Sequence, residues 1–248
     1  MITGLWINKI GIEVECGIDE QTTLSERNIP HFNSTHDGSV QTNKSTAKPT
    51  EYVSQAVKYP EEVKDLNDSV EELYTIISEI NASMGLHIHV SLNNDRDYYR
   101  LASLKFHNWF INRLKDSNLW NDCERLRKRV YNEDIHPFNP DYNYGYYCRR
   151  LNRNWTIDEQ LKNRSYKYRR ITYMKRKYDT IEFRLFPAMD RPEQVKQAID
   201  IVTTSINAYL RKGLYNDELE ASLSTTEVQT DSEASFNETI QSQVTYNV

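Results

Sequence analysis

The chain has 248 residues, 27% of them charged, with a formal net charge of -5 and a mean hydropathy of -0.77. That is room for one sizeable domain or two small ones around a sheet-based core, and 31 basic against 36 acidic residues leave no global footprint for nucleic acid or a membrane surface. Cys16, Cys123 and Cys148 have neither an even count nor C-x-x-C spacing, which argues against a disulfide framework and a structural zinc site.

In chain order, residues 5 to 16 predict a strand, since Leu5, Trp6, Ile7, Ile10, Ile12 and Val14 crowd a short segment. From Asp19 to Pro49 the composition turns polar and is broken by Pro30, Gly38 and Pro49, a long loop with short extended pieces of the kind that often carries function. Pro60 and the acids after it open a helix in which Val63, Leu66, Val70, Leu73, Ile77 and Ile80 recur at spacings of three and four, stopping near Asn81 to Gly85. A second helix is expected from about Tyr98 to Lys115 and a third, very basic one from about Asn121 to Asn132, with Arg125, Arg127, Lys128 and Arg129 read as a solvated face. A tyrosine-rich segment, Tyr142 to Tyr147, then leads to Arg149 and Arg150. Two antiparallel strands, 166 to 174 and 179 to 187, are joined by a short turn, and Pro192 to about Leu210 reads as a last amphipathic helix. Residues 218 to 248 lose the hydrophobic period and read as a disordered Ser/Thr/Glu-rich tail behind a domain spanning 1 to 217. No segment approaches the ~20 apolar residues of a membrane span and no export signal opens the chain, so the expected compartment is the cytoplasm.

Three short segments carry the chemistry. Gly11-Ile12-Glu13-Val14-Glu15, Gly85-Leu86-His87-Ile88-His89-Val90 and Thr180-Ile181-Glu182-Phe183-Arg184-Leu185 each place two polar side chains two residues apart in an apolar run. Strand side chains alternate faces, so each pair shares one face. Two carboxylates side by side repel unless something positive lies between them, and a hard divalent cation takes oxygen ligands of this kind. The plainer reading makes each pair a solvated or structural feature of a sheet. Three such pairs in three β-like runs favour a metal and phosphate surface.

In this order, and with Asp37-Gly38-Ser39 and Glu51-Tyr52-Val53-Ser54 between the first two, the motifs resemble the amidoligase family of the glutamine synthetase-like carboxylate-amine ligase superfamily, over roughly residues 5 to 210. The resemblance implies an α+β fold: a glutamine synthetase-like catalytic domain with a mainly antiparallel, curved sheet and flanking helices. It implies an ATP-dependent ligase that joins a carboxylate to an amine through an acyl phosphate, with ATP and Mg²⁺, or Mn²⁺, as cofactors. The matched positions make Glu13, Glu15, Glu51, His87 and Glu182 metal ligands, His89 a contact to nucleotide phosphate, Arg184 the group that stabilises the phosphoryl in transfer, and Asp37 the residue that binds or deprotonates the amine. The acid and amine stay open: an amino acid, a peptide, a cell-wall peptide or a protein side chain all fit, while nucleic acid and membrane are not expected partners.

The chain departs from the family pattern where Lys167-Tyr168 and Thr172 stand in place of an Arg-Tyr pair and an Asn. Lys167 still offers a point charge to phosphate but no bidentate fork, and Arg164, Arg169 or Arg170 are alternatives. Arg149 or Arg150 is a further candidate for a substrate carboxylate or ATP phosphate. Glu51 rests on Glu51-Tyr52-Val53-Ser54, with Glu20 and Glu26 as the alternatives. Two other functions keep the same residues: a phosphotransferase to another acceptor, and a catalytically silent binding protein whose tail recruits a partner.

Overall fold

A computed structural model describes residues 6–23, 27–36, 38, 40–135, 170–174 and 179–212, with the backbone alone at 131–135. The chain divides into two compact units, 1–208 and 209–248. Of the second, residues 209–212 are described and finish the last helix; the expected tail from 218 lies outside the described residues.

The first unit opens with β1 (Ile7–Asp19), β2 (Phe32–Thr35), β3 (Ala47–Ser54) and β4 (Val57–Lys58). Helix α1 (Val63–Ile76), β5 (Ile77–Glu79) and β6 (Gly85–Leu92) follow, then α2 (Asp95–Leu101), α3 (Leu104–Lys115), α4 (Asn118–Asp122) and α5 (Glu124–Ile135). Among the described residues the chain ends with β7 (Ile171–Tyr173), β8 (Ile181–Pro187) and α6 (Pro192–Arg211). The strands form one sheet in the order β2-β3-β1-β6-β8-β7, with β4 and β5 each pairing with β1 off that path, and every pairing is antiparallel. The expected α+β class and antiparallel sheet hold. The expected curvature does not: the sheet is open and uncurled, because β2 and β7 remain separate edges with no pair to close them among the described residues.

Alternation decides what each face carries. Ile10, Ile12, Val14, Cys16 and Ile18 of β1 and Leu86, Ile88 and Val90 of β6 are fully buried. On the same face, Phe183 of β8 meets Phe106 and Phe110 of α3 at ring-centroid distances of 6.3 and 5.1 Å. Burial of this size, at roughly 1.5–3 kcal/mol per large apolar side chain, pins the register. A slip of one residue would turn the whole apolar set outward. The opposite face is therefore fixed as the one bearing Glu13, Glu15, His87 and His89.

Several elements differ from the sequence expectation for local reasons. Helix α1 stops at Ile76, before the expected end, because Ile77 and Glu79 leave it to pair with Ile18 and Gly17 of β1. The expected helix from 98 to 115 starts earlier and is two helices, since the Ser103 side chain accepts from Phe106 N at 3.2 Å and caps α3 afresh. The third breaks at Cys123, whose backbone is extended between α4 and α5.

Its basic run is not a solvated face. Arg125 pairs with Asp190 at 2.5 Å, Arg127 donates to the carbonyls of Trp120 and Asn121 that end α4, and Arg129 is buried, donating to Phe186 O at 2.8 Å. Lys128, exposed and paired with Glu124, matches the expectation. No helix among the described residues is long and apolar enough to cross a membrane.

Candidate active site

The polar face converges on β1, β3, β6 and β8. Register places Glu13 opposite His87, Glu15 opposite Glu51, and His89 opposite Glu182. His87 Nδ1 lies 2.9 Å from Glu13 Oε2 and 3.8 Å from Glu182 Oε1, and its Nε2 lies 3.8 Å from Glu15 Oε1. His89 Nε2 lies 3.2 Å from Glu13 Oε1 and 3.9 Å from Glu182 Oε1. Arg184 donates to Glu182 Oε1 at 2.5 Å. All of these side chains are largely buried, down to 1% exposure for Glu182.

Two local devices build this arrangement. Between β6 and β8 the register shifts, with Leu86 opposite Phe186 but Ile88 opposite Phe183, so Arg184 and Leu185 together face the single residue His87. Such a bulge bends and twists a strand and re-aims its side chains, here bringing the Arg184 guanidinium onto Glu182. The second device is Gly85. Its backbone N–H donates to Glu15 Oε2 at 2.6 Å, and a Cβ there would lie 3.1 Å from His87 Nε2 and 3.2 Å from Glu15 Oε2.

The electrostatics are those of an acidic cluster partly neutralised from within. Burial pushes the Glu13 carboxyl up, but hydrogen bonds to His87 and His89 and the charges of those rings outweigh it and hold the group well below the usual carboxylate range. For Arg184, burial works against the charge; the facing Glu182, then Glu15 and Glu13, outweigh it and raise the guanidinium above its ordinary value. Cys16, one residue from Glu15 but on the core face, is pushed up to about 12 by burial and by that neighbour, leaving an inert thiol.

A cation fits this donor set. Ligand atoms of Glu13, Glu51 and His87 lie within 4.8 Å of one another, as do those of Glu13, His89 and Glu182. Glu182 Oε2 is buried and has no hydrogen-bond partner among the described residues, and the same is true of Arg184 Nε. A buried carboxylate oxygen left bare is costly unless something positive meets it.

A family model described as "putative amidoligase enzyme" matches residues 8–205. The chain belongs to the amidoligase family. No curated protein matches it. The family points to ligase-type, amide-bond-forming chemistry.

In this amidoligase the seven sequence-predicted residues Glu13, Glu15, Glu51, His87, His89, Glu182 and Arg184 come together on one face. Of the alternatives to Glu51, Glu20 is exposed and pairs with Lys48 at 3.6 Å, and Glu26 lies outside the described residues. Asp37, Arg149 and Lys167 also lie outside them, as do Arg150, Arg164 and Arg169. Arg170 is buried and donates to Val130 O at 2.9 Å, which ties it to α5. Thr172 is fully buried opposite Glu182.

Sequence reasoning gave no role to Thr180, whose Oγ1 lies 3.2 Å from His89 Nδ1, nor to a recess of about 250 Å³ beside it. The recess exists because the β1–β3 ladder stops at Glu13 and Val53; Ser54 Oγ accepts from Ile12 N at 2.8 Å, the chain steps out to β4, and Gly11 has no side chain to fill the gap. The one signal for it was the glycine that opens Gly11-Ile12-Glu13.

Proposed function

We propose that this amidoligase is an ATP-dependent carboxylate-amine ligase that forms an amide or isopeptide bond through an acyl phosphate on a Mg-ATP site. The observation that carries the reading is the buried Glu182 Oε2, without a hydrogen-bond partner among the described residues, in a ring of groups where Glu13, His89 and Glu182 can share one cation and Glu13, Glu51 and His87 another, with Arg184 against the Glu182 carboxylate. Such a ring suits a hard divalent cation, and the adjoining guanidinium suits phosphate oxygens. The antiparallel sheet with a buried helical face and a polar face is read as a glutamine synthetase-like catalytic domain.

Glu13, Glu15, Glu51, His87 and Glu182 would hold Mg²⁺, with Mn²⁺ as a substitute. The ion, when bound, neutralises phosphate charge and polarises the transferred phosphoryl group. His89 lies toward the recess and would donate to a phosphate oxygen. The recess beside it, floored by Gly11 and walled by Ser54, Ala56 and Ser91, would take the nucleoside.

The substrate carboxylate oxygen attacks the γ-phosphorus, forming one P–O bond as the bond to ADP breaks. Arg184 meets the charge that gathers on the phosphoryl oxygens. The amine nitrogen then attacks the acyl carbon, phosphate leaves, and the proton lost from nitrogen passes to a base, for which Asp37 is the proposed residue. Amino acids, peptides, cell-wall peptides and protein side chains are the proposed acids and amines.

The test is a screen of paired carboxylate and amine pools for ATP-dependent mass gain. ADP and phosphate release that needs both partners supports the ligase. A phosphorylated product formed without amine replaces it with a phosphotransferase, and failure to bind Mg-ATP in calorimetry rejects both.

A further inference from the structure

The bulge that re-aims Arg184 leaves β8 with little to hold it. Beyond Leu185 the strand has Phe186 and Pro187 left, and Pro187, opposite Gly85, has no N–H to give to β6. An extra residue also interrupts the ladder where it is inserted. Without further support the stub after the bulge would be free to pivot, and the Arg184 side chain with it.

Two buried arginines supply that support, one on each side. Arg129 of α5, 5% exposed, donates to Phe186 O at 2.8 Å, just past the bulge. Arg170, 4% exposed and immediately before β7, accepts from Arg184 N at 2.8 Å through its own carbonyl, within the bulge itself. Its guanidinium donates to Val130 O at 2.9 Å, on the residue after Arg129. Two consecutive residues of one helix are thus tied to the two sides of one bulge, by contacts that run in opposite directions: helix side chain to strand carbonyl, and strand side chain to helix carbonyl. Ala188 N donates to Met84 O at 3.0 Å and closes the end of the sheet beside them.

A guanidinium is always charged, and burying one strips its hydration. Among the described residues Arg129 has carbonyl oxygens alone for partners, Phe186 O and, at 3.5 Å, Met84 O, and its Nε has none. An apolar side chain would fill the same space without a buried charge, but it has no donor to offer a strand carbonyl.

We propose that Arg129 and Arg170 are positioning residues that brace the bulge at Arg184 and Leu185 against α5, and so keep the Arg184 guanidinium on the site face. The phosphoryl role of Arg184 rests on the Mg-ATP reading; the brace does not.

The test uses full-length protein without nucleotide or metal and reads the signal of the buried Arg184 Nε–H in a ¹H–¹⁵N correlation, identified by its loss in Arg184→Lys. Arg129→Met keeps an apolar stem and removes the donors, and the Arg184 signal should shift or broaden. Arg127→Gln, on the same helix but tied to α4, should leave it in place. Should Arg129→Met not fold, Arg170→Gln cuts the other half of the brace and must give the same result. An Arg184 signal identical to native in the folded variant, or moved as far by Arg127→Gln, overturns the proposal. In turnover, Arg129→Met should lower kcat on the order of tenfold, with the KM for ATP changed by less than about threefold, and Arg129→Lys should recover part of the loss. In an Arg184→Lys background Arg129→Met should add little, and additive losses overturn the proposal too. If the native chain turns over no ATP, the ligase reading falls and the Arg184 signal alone decides the brace.

Discussion

The backbone N–H of Gly85 donates to Glu15 Oε2 at 2.6 Å, tying the first residue of β6 to a carboxylate of β1. The bond holds the carboxylate end of the site closed against the strand, in a space where a Cβ would lie 3.1 Å from His87 Nε2. Gly85→Ala is expected to push His87 and Glu15 apart and to lower Mn²⁺ affinity on the order of tenfold, the usual scale for groups that orient metal ligands. Calorimetric titration with Mn²⁺ measures it. An unchanged affinity would mean that the close approach is incidental.

Glu15→Gln separates stability from binding. The amide keeps an oxygen for Gly85 N–H but removes one of two carboxylates placed directly opposite each other, Glu15 and Glu51. Relief of that repulsion should stabilise the metal-free protein by about 0.2–1 kcal/mol. With Mg²⁺ present the order should reverse, because the native chain gains about 2.7 kcal/mol at a concentration of 100 times Kd and the variant gains less. Urea unfolding with EDTA and with Mg²⁺ gives both signs in one experiment.

Glu182→Gln and His87→Ala should each abolish ATP turnover with little loss of fold. Both side chains lie on the polar face, and the apolar set that fixes the register is untouched. Circular dichroism beside an ADP-release assay checks the pair. Normal turnover in either variant would sink the site assignment.

Filling the recess should act on nucleotide alone. Gly11 faces it, and a Cβ there would meet Ser54 Oγ at 3.6 Å and Ala56 Cα at 3.9 Å, ordinary contact distances. Gly11→Val should therefore fold, keep Mn²⁺ affinity within a few-fold and lose ATP binding by about tenfold or more, since the added methyl groups occupy the space. Equal losses for metal and nucleotide would place the nucleoside elsewhere.

A pH effect is expected at Glu79, which pairs with Gly17 of β1. Burial raises the Glu79 carboxyl, but backbone N–H donors of Asn43 and Lys44, at 2.8 and 3.0 Å, and the Asn81 amide outweigh it and lower its pKa. A lowered folded pKa adds stability above the unfolded value of 4.5, and that stability is lost as pH falls through the folded value. Glu79→Gln should thus cost about 1.5–3 kcal/mol at neutral pH, the scale of hydrogen bonds to a charged group, with the gap closing below pH 4.5. A gap that is constant with pH would contradict the assignment.

Much of this was legible because period-two patterns report faces directly. Glu13 with Glu15, His87 with His89, and Glu182 with Arg184 need no tertiary knowledge to share a face. Their meeting follows once the apolar residues between them, Ile12, Val14, Ile88 and Phe183, are buried on the other side. Three things were hidden for physical reasons. The helix break at Ser103 turns on a single capping contact and that at Cys123 on one residue with extended backbone, neither of which periodicity registers. Ile77 carries a helical spacing, yet its backbone is claimed by β1, and tertiary pairing overrides local preference there. Arg129 reads as surface charge because its neighbours in sequence are charged, while its guanidinium is buried on a strand-end carbonyl.

The register shift in β8 has a consequence for chain length. Phe183 and Phe186 are three residues apart, yet both are fully buried opposite Ile88 and Leu86. Remove one residue between them and the two phenylalanines fall into the ordinary alternation, still in phase with their partners. The extra residue of the strand is thus set by the bulge at Arg184 and Leu185 and not by the alternation, and Leu185 still adds a fully buried side chain to the core.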